Sequence, residues 1–226
     1  GLVGESGSGK SVTALSVLRI VPRPGKIVDG RIEFDGEDLL AKSEDEMRGI
    51  RGSKIAIVFQ DPISSLNPVY SVASQLTEIM QLHQKIGKEE ALEKATKLLE
   101  IVGIPEPETR IHEFPHQFSG GMKQRAMIAM ALALNPKLVI ADEPTTALDV
   151  ITQTKILTRV REIQNQLDMA MIIITHDVSV VAKTARRIAV MYAGQIVELG
   201  TTKQIFKETA HPYTSGLLGS FPSIKG

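Results

Sequence analysis

Hydrophobic residues occur along the chain in two alternating arrangements. Continuous runs rich in β-branched residues, such as residues 54–59 and 138–141, are typical of buried parallel strands. Other segments place apolar residues at helical spacing, which predicts amphipathic helices. Strands that alternate with helices favour an α/β fold built on a mostly parallel sheet.

Shorter signals mark further strands and helix starts. Ala193-Gly194 separates two apolar segments and predicts a β-hairpin. Ser43 and Glu46 have the spacing of a capping box, which predicts the start of a short helix. The further predicted strands are residues 2–3, 31–34, 169–175, 188–192 and 195–199, and the further predicted helices begin near residues 11, 119, 151 and 178.

The middle third of the chain carries two apolar stripes at helical spacing. One includes Leu76 and Met80 and the other Leu92 and Leu99, so we predict two helices between residues 72 and 103, joined near Gly87. We expect one domain in three parts. These are an α/β core of residues 1–68 and 137–207, an inserted helical subdomain of residues 69–136, and a C-terminal tail of residues 208–226.

Composition narrows the possible functions. Lys plus Arg and Asp plus Glu both number 26, so the chain lacks the basic excess of a nucleic-acid-binding protein, and we expect no nucleic-acid partner. The sequence contains no cysteine, which excludes a disulfide, a thiolate metal site or an iron–sulfur cluster within it. The longest apolar stretches fall well short of a membrane span.

Residues 4–11, Gly-Glu-Ser-Gly-Ser-Gly-Lys-Ser, fit the phosphate-binding pattern G-x-x-x-x-G-K-[ST]. The backbone amides of such a loop and of the helix after it attract an anion. Lys10 adds a full charge for the β- and γ-phosphates, and the Ser11 hydroxyl is suited to bind Mg²⁺. The strand before the loop and the helix after it favour this interpretation over a flexible Gly/Ser turn. The residues predicted to bind nucleotide here are Gly4, Ser6, Gly7, Ser8, Gly9, Lys10, Ser11 and Val12.

Two adjacent carboxylates follow the apolar strand at residues 138–141. The carboxyl ends of strands are where α/β sheets bind their ligands. Asp142 is suited to hold Mg²⁺ through water, and Glu143 to polarise an attacking water. Without the phosphate loop upstream, the same pair is merely a solvated strand end.

Ser119-Gly120-Gly121 stands at the start of a predicted helix. Free amides, a hydroxyl and the absence of obstructing side chains make this a second anion-binding helix end. By itself the triplet is more often an ordinary turn. Its position between the phosphate loop and the carboxylates makes it a strong signal.

With these blocks in this order, the chain resembles the ATP-binding-cassette (ABC) ATPase family across almost its whole length. The family fold is a RecA-like P-loop NTPase core with an inserted helical subdomain. The resemblance identifies Gln60 as the Q-loop glutamine, Asp149 as the D-loop aspartate and His176 as the switch histidine. It implies that Glu143, His176 and Gln60 are catalytic, that Ser11, Gln60 and Asp142 hold Mg²⁺, and that Ser119, Gly120, Gly121 and Asp149 contact ATP.

The resemblance also implies an assembly. Two ABC ATPase subunits, identical or paralogous, would form a head-to-tail dimer with ATP between them. The dimer would lie at the cytoplasmic face of the plasma membrane, bound to two transmembrane permease subunits and served indirectly by an extracytoplasmic binding protein.

Several segments are similar to the branch that imports dipeptides and oligopeptides, with nickel importers as close relatives. They are residues 59–62, 65–68, 118–122 and 141–149 and the tail His211-Pro212-Tyr213-Thr214. We therefore expect an ATPase that powers peptide uptake. Uptake of another solute such as nickel, a soluble ABC ATPase acting on ribosomes or DNA, and a half-site without turnover are the alternatives. The single motif set disfavours the soluble ATPase, and Glu143 with His176 disfavours the silent half-site.

The sequence departs from the family pattern in two places. Met122 stands where the family usually has Gln, as is common in this branch. The chain begins at Gly1, whereas the family has antiparallel strands and an adenine-stacking aromatic before the phosphate loop. We therefore expect that residues precede Gly1, and that the chain without them binds nucleotide weakly.

Overall fold

The computed structural model describes residues 1–60, 65–144 and 150–220. The D-loop prediction, with Asp149, lies outside the described residues, as do parts of the segments at 59–62 and 141–149 that resemble peptide importers.

Strands and helices alternate along the described chain as predicted. The strands are β1 (Leu2–Val3), β2 (Glu33–Phe34), β3 (Glu37–Asp38), β4 (Ile55–Val58), β5 (Leu138–Asp142), β6 (Ala170–Thr175), β7 (Arg187–Tyr192) and β8 (Gln195–Thr201). The α-helices are α1 (Lys10–Val17), α2 (Glu44–Ile50), α3 (Val72–Gln84), α4 (Lys88–Ile101), α5 (Pro107–Arg110), α6 (Gly120–Leu132), α7 (Val150–Leu167), α8 (Val178–Thr184), α9 (Thr202–Lys207) and α10 (Pro212–Gly219). Short 3₁₀ turns occupy Leu39–Ala41 and Pro115–Gln117. No helix among the described residues is both long and apolar enough to cross a bilayer.

The chain divides into two compact units. The first unit combines Gly1–Met47 with Ile172–Gly226, and the second unit is Arg48–Met171. The predicted division into a core, a helical subdomain at 69–136 and a tail uses other boundaries, and it stays a prediction.

In the first unit, β1 lies between β6 and β7 and is parallel to both. Val3 pairs with Thr175 on one side and with Val190 on the other, so the short strand is central and both of its residues are buried. Strand β8 runs antiparallel to β7. Ala193 and Gly194 join them with φ angles of 47° and 81°, which are both positive as a type I′ hairpin turn requires. The predicted hairpin is therefore confirmed.

In the second unit, β4 and β5 pair in parallel from Ile55 with Leu138 to Val58 with Ala141. The two predicted stripes are confirmed as the buried faces of α3 and α4. Leu76, Met80 and Leu99 are fully buried there and belong to the same apolar cluster as helix α6. Burying apolar faces of this kind supplies the main driving force for folding.

Hydrogen bonds from side chains to nearby backbone groups determine where α2 and β2 begin. The predicted capping box at the start of α2 is confirmed, because the Ser43 N–H donates to Glu46 and the Glu46 N–H donates to Ser43 Oγ. The strand predicted at 31–34 forms only over Glu33–Phe34 and pairs with β3. The Leu39 N–H donates to the Ile32 carbonyl oxygen at 2.8 Å, but the Ile32 N–H donates to the Asp38 carboxylate at 3.2 Å and not to a backbone carbonyl.

Candidate functional site

The predicted phosphate loop connects β1 to α1 in the first unit. At Gly4, a Cβ would lie 2.1 Å from the carbonyl oxygen of Met191, so only glycine allows this approach of two backbones. Gly9 forms the N-cap of α1 with a φ of 103°, a conformation that side chains disfavour. The glycines at these two positions therefore fix the shape of the loop.

Lys10 is buried within this loop. Its Nζ donates hydrogen bonds to the carbonyl oxygens of Gly4 at 2.9 Å and Glu5 at 2.8 Å, and to Ser8 Oγ at 3.4 Å. Because Lys10 is only 6% exposed and its ammonium donates to these loop atoms, the charge lies inside the turn of the loop. A buried cation within a loop of backbone amides is suited to bind a phosphate. Ser6, Gly7, Ser11 and Val12 are exposed, whereas Gly9 is half-buried and Ser8 is buried.

His176 lies at the same sheet edge as this loop. Val3 pairs with Thr175, and Gly4 and His176 are the residues that follow them in the two parallel strands. The Asp177 N–H donates to Thr175 Oγ1, and the Asp177 carboxylate caps α8 by accepting from the Ser179 N–H at 2.8 Å. These bonds fix the turn that carries the exposed His176 side chain.

In the second unit, Gln60 and Glu143 lie together beyond the carboxyl ends of two paired strands. Val58 and Ala141 are register partners, and Gln60 and Glu143 each lie two residues further on. The Gln60 Nε2 donates to Glu143 Oε2 at 3.1 Å. Glu143 has a φ of 46°, which is uncommon for a side chain of this size. Such conformations occur in turns, as at Ala193, and they also cluster at active sites.

Asp142 ends β5 and is buried, with 7% of its surface exposed. The carboxylate of Asp142, the hydroxyl of Ser11 and the amide oxygen of Gln60 are hard oxygen donors, the kind that Mg²⁺ prefers. The donor chemistry of the predicted set therefore fits this ion.

Ser119 is the N-cap of α6, and its Oγ accepts from the Met122 N–H at 3.3 Å. Ser119 and Gly120 are exposed and Gly121 is half-buried, so this helix end is accessible. Arg125 holds it in place by donating to the carbonyl oxygens of Gly121 at 3.1 Å and Gly103 at 2.7 Å. Burial lowers the pKa of this guanidinium from its ordinary value.

Sequence reasoning missed the supporting roles of Arg125 and Tyr213. The signal for Arg125 was its position four residues after Gly121, where a helical side chain reaches back to that turn. Tyr213 was considered only as part of the tail that resembles peptide importers. Its phenolic oxygen accepts a hydrogen bond from the Glu5 N–H of the phosphate loop at 3.1 Å.

Two family models match this sequence. The model described as ABC transporter matches residues 1–146. The model described as oligopeptide/dipeptide transporter, C-terminal region, matches residues 197–226. Together they cover the phosphate loop, the Gln60–Glu143 pair and the tail.

Curated relatives are similar over nearly the whole chain. The oligopeptide transport ATP-binding protein OppD of Bacillus subtilis is 56% identical over 225 residues, which are 99% of this chain and 63% of that protein. The dipeptide transport ATP-binding protein DppD of Escherichia coli is 50% identical over 224 residues, which are 99% of this chain and 68% of that protein. The chain thus spans about two thirds of the length of these relatives.

Solved structures agree with the fold. A dimeric post-hydrolysis state of the ATP-binding cassette MJ0796, bound to ADP and Pi, has a TM-score of 0.77 at 28% identity, covering 89% of this chain and 84% of that one. The cbiO1 protein of Clostridium perfringens, part of the transporter complex cbiONQ, has a TM-score of 0.79 at 31% identity, covering 92% and 79%. The predicted P-loop ATPase fold is confirmed by these likenesses.

Proposed function

The chain belongs to the ABC transporter family, and we propose that it hydrolyses ATP to power the uptake of dipeptides or oligopeptides across the cell membrane. The observation that carries the peptide assignment is the match of residues 197–226 to the C-terminal region of oligopeptide/dipeptide transporters. The curated relatives named above, which are ATP-binding proteins of oligopeptide and dipeptide transport, support the same substrate class.

The binding step depends on the phosphate loop. Its backbone amides and the buried Lys10 ammonium contact the β- and γ-phosphates. A bound phosphate oxygen replaces Ser8 Oγ, the most distant of the three acceptors of Lys10 at 3.4 Å, while the ammonium keeps its hydrogen bonds to the carbonyl oxygens of Gly4 and Glu5. His176, at the same sheet edge, donates a hydrogen bond to the γ-phosphate.

The hydrolytic step depends on Glu143. Its carboxylate orients a water in line with the γ-phosphorus and accepts a proton from it as the new oxygen–phosphorus bond forms and the bond to ADP breaks. Gln60 supports this role by donating a hydrogen bond to the carboxylate at 3.1 Å. Ser11, Gln60 and Asp142 would hold Mg²⁺, which neutralises phosphate charge when bound.

The proposed assembly is a dimer of ABC ATPase subunits. Ser119, Gly120 and Gly121 of one subunit would close the ATP site of the other, with Asp149 beside them. Two solved structures of the ATP-binding cassette MJ0796 that match this chain are dimeric, which supports the arrangement. Two permease subunits would anchor the dimer at the cytoplasmic face of the membrane, and an extracytoplasmic binding protein would deliver the peptide.

Peptide uptake in the assembled transporter tests the proposal. Right-side-out membrane vesicles that contain the complex are loaded with ATP. A radiolabelled tripeptide and the binding protein are then added outside the vesicles. We expect ATP-dependent accumulation, and its loss when this subunit carries Glu143→Gln. Accumulation of Ni²⁺ without peptide would contradict the substrate class, and peptide accumulation that survives Glu143→Gln would contradict the mechanism.

A further inference from the structure

The tail of the first unit contacts the phosphate loop through one side chain. The Glu5 N–H donates to the phenolic oxygen of Tyr213 at 3.1 Å, across 208 positions of sequence. The Tyr213 ring packs against Tyr192, at the end of β7, with 4.4 Å between the ring centroids. Tyr213 is half-buried and lies in the first turn of α10.

Strand β8 fixes the start of α10. The Glu198 carboxylate accepts from the backbone N–H groups of Ala210 at 2.9 Å and His211 at 3.1 Å. Burial raises the pKa of the Glu198 carboxyl, whereas the hydrogen bonds from these amides are among the interactions that lower it, and the net direction of the pKa is downward. His211 Nδ1 in turn accepts from the Tyr213 N–H at 3.1 Å. The position of the Tyr213 hydroxyl is therefore set by the sheet.

The peptide group between Gly4 and Glu5 connects Tyr213 to Lys10. Its N–H donates to Tyr213, and its carbonyl oxygen accepts from Lys10 Nζ at 2.9 Å. Because a peptide group is planar, the bond that fixes the N–H also fixes the direction of the carbonyl. A second anchor acts further along the loop, where the Gly194 N–H donates to the Ser8 carbonyl oxygen at 3.0 Å.

We propose that Tyr213 is a positioning residue for ATP binding, which it supports by orienting the Gly4–Glu5 peptide group and with it the Lys10 ammonium. The inference rests on the proposed binding of ATP at this loop. It gives the segment that matches the peptide-transporter C-terminal region a role in the nucleotide site, beyond marking a branch of the family.

Tyr213→Phe tests this role because it removes one oxygen and keeps the ring on Tyr192. In the purified full-length protein, we expect the Kd and KM for ATP to rise about three- to tenfold, the range of one hydrogen bond, with a smaller change in kcat. By NMR, the Glu5 amide is expected to exchange with solvent faster than in the wild type. Tyr192→Phe is the matched control, because its hydroxyl has no hydrogen bond among the described residues, and it should leave both readouts unchanged.

The two readouts separate this inference from the proposed function. An ATP affinity and a Glu5 exchange rate that both equal the wild-type values in Tyr213→Phe would overturn the positioning role. Failure of the wild-type protein to bind ATP would overturn the proposed function and with it the consequence for affinity. The Glu5 exchange rate would in that case still decide whether Tyr213 fixes the loop.

Discussion

The two compact units contribute to the proposed reaction in different ways. The first unit provides a cation within a loop whose residues are contiguous, and glycines and close backbone contacts hold that loop. The second unit provides an amide and a carboxylate, Gln60 and Glu143, which are 83 positions apart and meet because β4 and β5 pair in one register. In the proposed reaction, phosphate binding would thus depend mainly on local backbone shape, and water activation on the alignment of two strands.

This difference predicts that binding and turnover respond to separate substitutions. A substitution in the loop should lower either the affinity for ATP or the free energy of unfolding. A change at the end of β5 should stop the chemical step and leave binding intact. Each prediction below tests one side of this division.

The largest effect is expected from Glu143→Gln in the second unit. Loss of the general base should lower the ATPase kcat roughly 10²- to 10⁴-fold, measured as steady-state phosphate release. Glu93→Gln, an exposed change on α4 of the same unit, should leave kcat at the wild-type value. A Glu143→Gln variant with full activity would remove the second unit's role in turnover.

Lys10→Ala in the first unit should act on binding. Losing the hydrogen bonds from a charged donor to phosphate should weaken ATP affinity roughly ten- to a hundredfold, measured by isothermal titration calorimetry. Lys203→Ala, an exposed change on α9 of the same unit, is the control and should bind as the wild type does. Equal affinities for Lys10→Ala and Lys203→Ala would contradict the role of the buried ammonium.

Gly4→Ala tests the backbone contact that shapes the loop. Its Cβ would meet the Met191 carbonyl oxygen at 2.1 Å, so one of the two backbones must shift. We expect the free energy of unfolding to fall by about 1–3 kcal/mol, measured by urea denaturation. Gly49→Ala in α2, where a Cβ meets no atom within 4 Å, should instead be neutral or slightly stabilising. Equal stabilities of the two variants would show that the close approach is not a constraint.

The smallest effect is expected at the hairpin turn that contacts the loop. Ala193 has a φ of 47°, a backbone conformation that is higher in energy for alanine than for glycine. Ala193→Gly should raise the free energy of unfolding by about 0.5–1 kcal/mol. Gly194→Ala, at a φ of 81°, should lower it. A loss of stability in Ala193→Gly would contradict the type I′ assignment.

Sequence alone predicted the elements that depend on local patterns. The capping box at Ser43 and Glu46, the hairpin at Ala193-Gly194 and the buried faces of α3 and α4 all follow from spacing within a few residues. The phosphate loop belongs to the same class, because glycine and lysine at fixed intervals determine it.

Contacts between segments that are distant in sequence could not be predicted from local patterns. Only family resemblance connected Gln60 with the site, since register between β4 and β5 cannot be counted along the chain. No pattern placed Tyr213 beside Glu5, because that contact depends on how β8 fixes the start of α10. The roles of Ser119, Gly120 and Asp149 in a partner's ATP site stay predictions.

The identity of the nucleotide bound to Glu143→Gln tests the division between the two units most directly. The purified variant is incubated with radiolabelled ATP and Mg²⁺, separated from free nucleotide, and its bound label is resolved by chromatography. The account predicts unhydrolysed ATP, bound with wild-type affinity. Bound ADP, or a loss of binding as large as that in Lys10→Ala, would contradict it.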